Sequence, residues 1–146
     1  MSETSTRQRW LATLARASRS EIEVLASRLG HVPSHEILKA PETGTVMVEG
    51  RAGGAGRRFN LGEATVTRCV VRLADGAMGF SYALGRDGRK ARLAAVIDGL
   101  LQTEAESGPL HGGIAELAAR QEAARELASR KAAATKVDFF TMVRGE

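Results

Sequence analysis

Apolar residues recur every three or four positions near the start of the chain, which predicts two amphipathic helices. The apolar positions of the first, from about residue 6 to 18, are Trp10, Leu11 and Leu14. Those of the second are Ile22, Leu25, Ala26 and Leu29. Ser20 and Glu23 have the spacing of a capping box at the start of the second helix, and Gly30 and Pro33 end it. We therefore expect a helical hairpin over residues 6–30.

From about His35 the period of the apolar residues changes from 3.6 to 2, which is typical of strands with one exposed face. Four strands are predicted, over residues 34–39, 45–51, 64–74 and 78–84. Residues 40–44 have the composition of a turn, and Asp75-Gly76 is typical of a hairpin turn. Because these connections are too short for parallel crossovers, the sheet over residues 34–85 should be antiparallel.

Helical periodicity returns in the last third of the chain, over residues 89–134. The first of two late helices has an apolar stripe formed by Leu93, Val96, Ile97, Leu100 and Leu101. Gly108-Pro109 ends it, and the alanine-rich segment Ile114–Ala134 forms the second, whose weak hydrophobicity calls for small packing residues or a partner. The predicted fold is α+β, an antiparallel sheet of about four strands flanked by two N-terminal and two C-terminal helices.

The segment over residues 135–146 is unusually apolar for a chain end, where polar residues are the rule. Phe139, Phe140 and Met142 lie within its last eight residues. We therefore predict that it is docked and that these three residues contribute to assembly. Docking on the sheet of the same chain and docking on another subunit both remain open.

The overall composition is that of one ordinary globular domain over residues 1–146, with 43% hydrophobic and 26% charged residues. No apolar run approaches the roughly 18 residues of a membrane span, and the first ten residues have no apolar core of a signal peptide. We therefore expect a cytoplasmic protein. Since Cys69 is the single cysteine, this chain cannot form an intramolecular disulfide or supply the three cysteines of an iron–sulfur motif.

Positive charge is concentrated in the middle of the chain. Residues 51–92 contain nine Arg or Lys against three Asp or Glu, a net charge of +6, whereas residues 93–146 have a net charge of −2. Such a distribution allows a free-standing nucleic-acid-binding domain as an alternative function. Against this alternative, the predicted strand faces lack the row of aromatic residues on which bases stack.

A glycine-rich, basic segment over residues 53–58 contains two arginines, Arg57 and Arg58. Backbone N–H groups and guanidinium groups in such a segment could surround a phosphate or phosphonate. The spacing is not that of a P-loop or a dinucleotide-binding loop, and the segment joins two predicted strands. A hairpin loop that needs glycine for positive φ therefore remains the alternative.

Further arginines follow on the third and fourth predicted strands. Arg68 and Arg72 share one strand face, and Arg86 with Arg89 lies at the end of the next strand. Such a row could bind a polyanion or a partner protein. A solvated sheet face, or salt bridges between subunits, would explain the same pattern.

The remaining candidates for chemistry are the histidines and the cysteine. His31 and His35 could be two metal ligands or an acid–base pair, but they flank Pro33 in a predicted loop and no third ligand is evident. Cys69 alternates with valines inside a strand, which favours a buried, inert thiol over a nucleophile. We assign no catalytic residue and no metal ligand.

Several blocks of the sequence resemble the PhnG family of the carbon–phosphorus lyase system. These blocks are Arg7–Trp10, Ala40–Met47, Gly53–Gly56, Phe59–Cys69, Gly85–Asp87 and Thr135–Gly145. The resemblance covers nearly the whole chain, and the closing block is the most specific. It implies a subunit of a complex that makes phosphorus available from organic phosphonates.

The resemblance also implies particular partners and reactions. The partners are homologues of PhnH, PhnI and PhnJ, in a symmetric assembly with two copies of each subunit. The first reaction displaces adenine from ATP with methylphosphonate and gives α-D-ribose 1-methylphosphonate 5-triphosphate, with the nucleosidase chemistry on PhnI. The later radical cleavage, with S-adenosylmethionine and an iron–sulfur cluster, belongs to PhnJ. This chain is expected to bind no cofactor and to act as an accessory or assembly subunit that lends positive charge.

Overall fold

The computed structural model describes residues 3–51 and 58–144, with side chains over residues 6–49 and 61–135. The elements in chain order are α1 (Glu3–Arg16), α2 (Arg19–Ser27), β1 (His35–Arg51), β2 (Arg58–Leu73), β3 (Met78–Leu84), α3 (Gly88–Leu101) and α4 (Pro109–Arg144). The predicted α+β class is confirmed. None of the helices in these ranges is long and apolar enough to cross a membrane.

The sheet in the described part of the chain has three antiparallel strands in the order β1-β2-β3. The sequence predicted about four, because residues 40–44 have the composition of a turn. Instead, β1 runs through these residues, and its pairing with β2 is irregular between Lys39 and Glu42. Pro41 is tolerated there because β1 is an edge strand and a bulge needs no ladder hydrogen bond from it. The turn-forming residues therefore produce a bulge.

The predicted hairpin between β2 and β3 is confirmed. Gly76 has a φ of 93°, which glycine adopts without steric cost, and its N–H donates to the carbonyl oxygen of Leu73 at 2.9 Å. The Asp75 carboxylate accepts a hydrogen bond from the N–H of Ala77 at 3.0 Å. β3 has the predicted bounds, Met78–Leu84.

The start of α2 differs from the prediction by two residues. Ser18 is the N-cap, and its hydroxyl accepts from the N–H of Glu21 at 3.2 Å. The Glu21 carboxylate accepts in turn from the N–H of Ser18 at 2.9 Å. The capping box predicted at Ser20 and Glu23 is wrong, because the same Ser-x-x-Glu spacing occurs twice within residues 18–23.

α3 lies between the sheet and the other helices and contributes to two hydrophobic clusters. The cluster on the sheet consists of Cys69, Val71, Leu73, Ala83, Ala91, Ala95 and Val96. The cluster between the helices consists of Trp10, Leu14, Ala17, Ile22, Leu25, Ala94, Ile97, Leu101, Leu110, Ile114 and Leu117. The apolar residues predicted to lie on the faces of α1, α2 and α3 are therefore largely buried, and one face of the sheet is covered by α3.

A buried carboxylate, that of Asp98 on α3, connects three parts of the fold. It is fully buried and accepts hydrogen bonds from Arg7 at 3.2 and 2.8 Å and from Trp10 Nε1 at 2.7 Å. It also accepts from the backbone N–H of Phe80 at 2.8 Å and from the Gln102 amide at 3.3 Å. The hydrogen bond to Asp98 raises the pKa of Arg7. Asp98 therefore attaches α1 to α3 and both of them to β3.

α4 has 36 residues and is longer than the predicted helix over residues 114–134. It begins at Pro109, which suits the first helical position because that position needs no N–H donor. Its first turns bury Leu110, Ile114 and Leu117 among the other helices, and the Gln121 amide donates to the carbonyl oxygen of Thr13 at 3.0 Å. Beyond residue 121, every residue with a described side chain, up to residue 135, is exposed.

Candidate functional site

The predicted pair Arg68 and Arg72 shares the face of β2 that α3 does not cover. Both side chains are exposed. Arg72 forms a salt bridge of 3.1 Å with Glu36, its pairing partner on β1. Arg68 is paired with Glu42 on β1 and with Tyr82 on β3. The placement on one face is confirmed, and part of the charge is neutralised by β1.

The same open face carries the aromatic pair Phe80 and Tyr82 on β3, with ring centroids 6.1 Å apart. Their cross-strand partners on β2 are Val70 and Arg68. The sequence analysis expected no row of aromatics, and the structure brings two half-buried rings together on one strand. Two adjacent rings on an edge strand are fewer than the stacking platforms of single-strand-binding sheets use.

The other predicted arginines lie elsewhere. Arg86 is exposed and lies in the connection from β3 to α3, away from the open face. Arg58 begins β2 and pairs with Arg51, so the strands on either side of the glycine-rich segment are neighbours, as predicted. Arg57 falls outside the described residues, and the Arg58 side chain does too. Anion binding by these two residues stays a prediction.

The histidines predicted as a possible metal or acid–base pair have different surroundings. His31 is exposed, whereas the ring of His35 lies between the carbonyl oxygen of Pro33 at 2.8 Å and Arg92 Nε at 3.0 Å. Because a carbonyl only accepts and a guanidinium only donates, these two contacts need a donor at Nδ1 and an acceptor at Nε2 of the His35 ring. Over the described ranges, no group of three His, Cys, Asp or Glu is placed to hold a metal ion.

Cys69 is fully buried in the cluster between the sheet and α3. Burial raises the pKa of its thiol, which disfavours the reactive thiolate. The prediction of a buried thiol is therefore confirmed, and its low reactivity stays a prediction.

A shallow cavity of about 400 Å³ lies where β1 begins and β2 ends. Its charged lining residues are Glu36 and Arg72, which form a salt bridge with each other, and Ser34 and the ring of His35 also line it. No described hydrogen bond joins the Ser34 hydroxyl to the His35 ring, which is held by the Pro33 carbonyl oxygen and Arg92 instead. The cavity therefore gives no support to a catalytic site.

Besides Arg7 and Cys69, the described groups with a shifted pKa lie at the junction of β3 and α3, and they are Arg19, Asp87 and Lys90. Asp87 is the N-cap of α3, and Arg19 donates to its carboxylate at 2.6 and 2.9 Å. These bonds, with that from the N–H of Lys90, lower the pKa of Asp87 from 3.8 to about 2. Lys90 is buried and donates to the carbonyl oxygen of Leu84 at 2.9 Å, and its burial lowers its pKa. No local pattern in the sequence indicates the Arg19–Asp87 pair, whose members are 68 residues apart.

The Asp87 pair predicts a pH dependence of stability. A carboxylate with a depressed folded-state pKa stabilises the fold fully above its unfolded pKa and loses this contribution as the pH falls through its folded pKa. We expect Asp87→Asn to unfold at lower urea concentration than wild type at pH 5, and the difference to shrink between about pH 4 and pH 2. Asparagine keeps an acceptor for the N–H of Lys90 at the N-cap, but it removes the charge and one of the two oxygens that accept from Arg19. A constant difference across this range would contradict the prediction.

Phe139, Phe140 and Met142 lie in the last turns of α4, which continues to Arg144. Their side chains fall outside the described ones, so their docking remains a prediction. The helix over residues 109–121 packs on α1, α2 and α3, and its exposed part follows directly. The second half of α4 therefore has no described packing partner within the chain. The sequence indicated this only through the high alanine content of the helix.

Known proteins similar to this chain agree with the resemblance. The family model for the phosphonate metabolism protein PhnG matches residues 5–145. A curated relative from Rhizobium meliloti (strain 1021), named alpha-D-ribose 1-methylphosphonate 5-triphosphate synthase subunit PhnG, is 44% identical over 140 residues. That match covers 96% of this chain and 90% of the relative. The chain therefore belongs to the PhnG family of phosphonate metabolism proteins.

Proposed function

We propose that this chain is a non-catalytic assembly subunit of a cytoplasmic complex that makes α-D-ribose 1-methylphosphonate 5-triphosphate from ATP and methylphosphonate. The name of the relative from Rhizobium meliloti supports both the reaction product and the assignment of this chain as a subunit. The observation that carries the assembly role is the second half of α4, which is exposed over residues 122–135. The partners in this proposal are homologues of PhnH, PhnI and PhnJ, two copies of each.

The exposed part of α4 continues the helix face that packs on the rest of the chain. A helix rotates by about 100° per residue, so positions 124, 128, 135, 139 and 142 follow the side of the helix that holds Leu110 and Leu117. Leu110 and Leu117 are almost fully buried against the neighbouring helices. A partner that contacts this face would therefore continue the packing that Leu110 and Leu117 begin within the chain.

The exposed part of α4 is not stabilised by apolar packing within the described residues. Leu127 is 51% exposed, and the side-chain contacts on the surface are local ion pairs, Glu122 with Arg125 and Glu126 with Arg130. Such exposed pairs contribute little to stability, about 0.3–0.5 kcal/mol each. Helix propensity keeps the segment helical, and burial against a partner would supply the missing packing energy.

The described residues also support a non-catalytic role. Their side-chain hydrogen bonds cap helices, join strands and form ion pairs, as those of Asp98, Asp87 and Ser18 do. None of these bonds joins a nucleophile to a general base, the arrangement that covalent catalysis requires. We place the nucleosidase reaction on the PhnI homologue and the radical cleavage, with its iron–sulfur cluster and S-adenosylmethionine, on the PhnJ homologue. A free-standing nucleic-acid-binding domain is not favoured.

Co-expression of the full chain with the other subunits of the same bacterium tests this proposal. With an affinity tag on the PhnI homologue, we expect the wild-type chain to co-purify in a fixed ratio. Replacing Phe139, Phe140 and Met142 together by serine should lower its recovery at least tenfold, because their apolar area could no longer be buried in an interface. Turnover of ATP and methylphosphonate should fall with the recovery of the chain.

The matched control replaces Val24 and Val32 by serine, which removes exposed apolar side chains from the other end of the fold. Val24 is 63% and Val32 43% exposed, so neither change should affect folding or assembly. Failure of the wild-type chain to co-purify would overturn the assembly proposal. Full recovery of the triple serine variant would remove the role assigned to the end of α4.

A further inference from the structure

A groove runs along the outer edge of the sheet, between β1 and the first turns of α3. Two contacts fix its course: a Cβ on Gly88 would lie 3.2 Å from the Pro41 Cβ, and Arg92 Nε lies 3.0 Å from His35 Nε2. The first turns of α3 therefore run antiparallel to β1 from Pro41 to His35. We call this surface, with Arg86, Arg89 and Arg92 on one side and Ile37 on the other, the arginine groove.

The three arginines belong to one side of the groove because of their position around the start of α3. Arg89 and Arg92 are one helical turn apart and are therefore neighbours on the surface. Arg86 follows Gly85, whose N–H donates to the carbonyl oxygen of Thr65 at 2.9 Å and whose carbonyl oxygen accepts from the Thr67 hydroxyl at 2.8 Å. The Thr67 hydroxyl is 3.0 Å from that of Thr43 on β1, so this anchor lies beside the groove.

The positive charge of the groove is not neutralised within the described residues. Arg86, Arg89 and Arg92 are exposed, and none of them takes part in the salt bridges formed among those residues. The nearest carboxylate along the chain, Asp87, is held by Arg19. Elsewhere in the fold, Arg7, Arg28 and Arg72 each pair with an acidic residue.

The other side of the groove carries an apolar side chain. Ile37 pairs with the buried Val71 and so faces the same side of the sheet as α3, yet it remains 43% exposed. Along β1 it lies between Pro41 and His35, the two residues that contact α3. Three arginines that form no ion pair among the described residues therefore lie beside an uncovered aliphatic side chain.

We propose that the arginine groove is the docking site for an acidic segment of another subunit of the synthase, one that carries carboxylates next to apolar side chains. The proposal rests on the assembly role proposed above and gives that role a second surface, distinct from α4. Carboxylates of the segment pair with Arg86, Arg89 and Arg92, and its apolar side chains cover Ile37.

Other occupants fit the groove less well. A second copy of this chain would bring the same arginines together, and like charges across an interface cost several kcal/mol. A free phosphate ester would leave Ile37 uncovered, and the His35 ring at this surface is already held by Pro33 and Arg92. The acidic protein segment satisfies both the charge and the apolar surface.

The test uses the same co-purification of the full chain with the tagged PhnI homologue and the other subunits. In the variant, Arg86→Glu is combined with Arg89→Glu, because neither side chain makes a described contact that folding would lose. We expect its recovery to fall about tenfold or more against wild type, with an unchanged unfolding midpoint. Raising NaCl from about 0.1 M to 0.5 M should weaken the wild-type association, since salt screens exposed pairs.

The matched control combines Arg9→Glu with Arg16→Glu, an equal change of charge at exposed residues of α1 that form no ion pair among the described residues. It should be recovered as well as wild type. The proposal would be overturned if the groove variant co-purified as well as wild type, or if the control variant were lost to the same extent. Either result would leave the assembly role intact. Two other results would also overturn docking of a protein segment. One is a groove variant that assembles normally but binds ATP more weakly, and the other is a wild-type chain that purifies with bound nucleic acid.

Discussion

Replacing Asp98 by alanine should lower the free energy of unfolding by about 3 kcal/mol or more. The change leaves the buried N–H groups of Trp10 and Phe80 without their acceptor, and each unsatisfied buried donor costs about 1–3 kcal/mol. The Arg7 side chain is 39% exposed and can regain water, so its lost ion pair adds less than a fully buried pair would. For a domain of this size, such a loss is a large part of the total stability.

Urea unfolding of the full chain, followed by circular dichroism, measures this effect. Asp98→Asn should lose less stability than Asp98→Ala, because the amide keeps an acceptor oxygen in the same place. Glu106→Ala is the control, since Glu106 is exposed and a surface substitution should change stability by no more than about 0.5 kcal/mol. Equal midpoints for Asp98→Ala and Glu106→Ala would contradict the assigned role of the buried carboxylate.

The Asp98 network shows which part of the fold the sequence could not predict. The apolar stripe of α3 was visible from its period, and Asp98 interrupts an otherwise apolar run from Ala94 to Leu101. An acidic residue in such a run is a sign of a buried partner. Three of its donors lie 91, 88 and 18 residues away, at Arg7, Trp10 and Phe80, and no local pattern identifies partners at that distance.

The sheet shows the same division between local and tertiary information. The alternation of apolar and polar residues and the Asp75-Gly76 turn were sufficient to predict β3 and the antiparallel pairing. The continuity of β1 was missed because Pro41 and Gly44 favour a turn in isolation. Pairing with β2 along its length, from His35–Leu73 to Arg51–Arg58, outweighs that preference in the folded chain.

The candidate surfaces were predictable to a similar extent. Strand alternation correctly placed Arg68 and Arg72 on one face. The arginine groove was not predicted, although Arg86 was a candidate, because its apolar side belongs to β1 and its position depends on the contact of Gly88 with Pro41. The family was evident from sequence blocks spread along the chain, and the family model confirms it.

Replacing Gly79 by alanine should destabilise the fold by about 3 kcal/mol or more, through a collision between β3 and α3. A Cβ at this position would overlap the carbonyl oxygen of Ala95 and lie 2.8 Å from its carbonyl carbon and 3.1 Å from the Gly99 nitrogen. These are backbone atoms, which cannot move aside as the end of a flexible side chain can. Overpacking of a core typically costs about 1–3 kcal/mol, and a clash with helix backbone lies at the upper end or beyond.

The close approach at Gly79 is also what allows α3 to cover the sheet with small residues. Ala91 and Ala95 are fully buried against β2 and β3, and a helix forced outwards would open space around both of them. Gly44→Ala is the matched control, since Gly44 lies in a strand of the same sheet and a Cβ there meets nothing within 4 Å. In urea unfolding, Gly44→Ala should be neutral or slightly stabilising, because alanine reduces the entropy of the unfolded chain. If Gly79→Ala unfolded at the same urea concentration as Gly44→Ala, the helix would not lie as close to the sheet as the glycine contact requires.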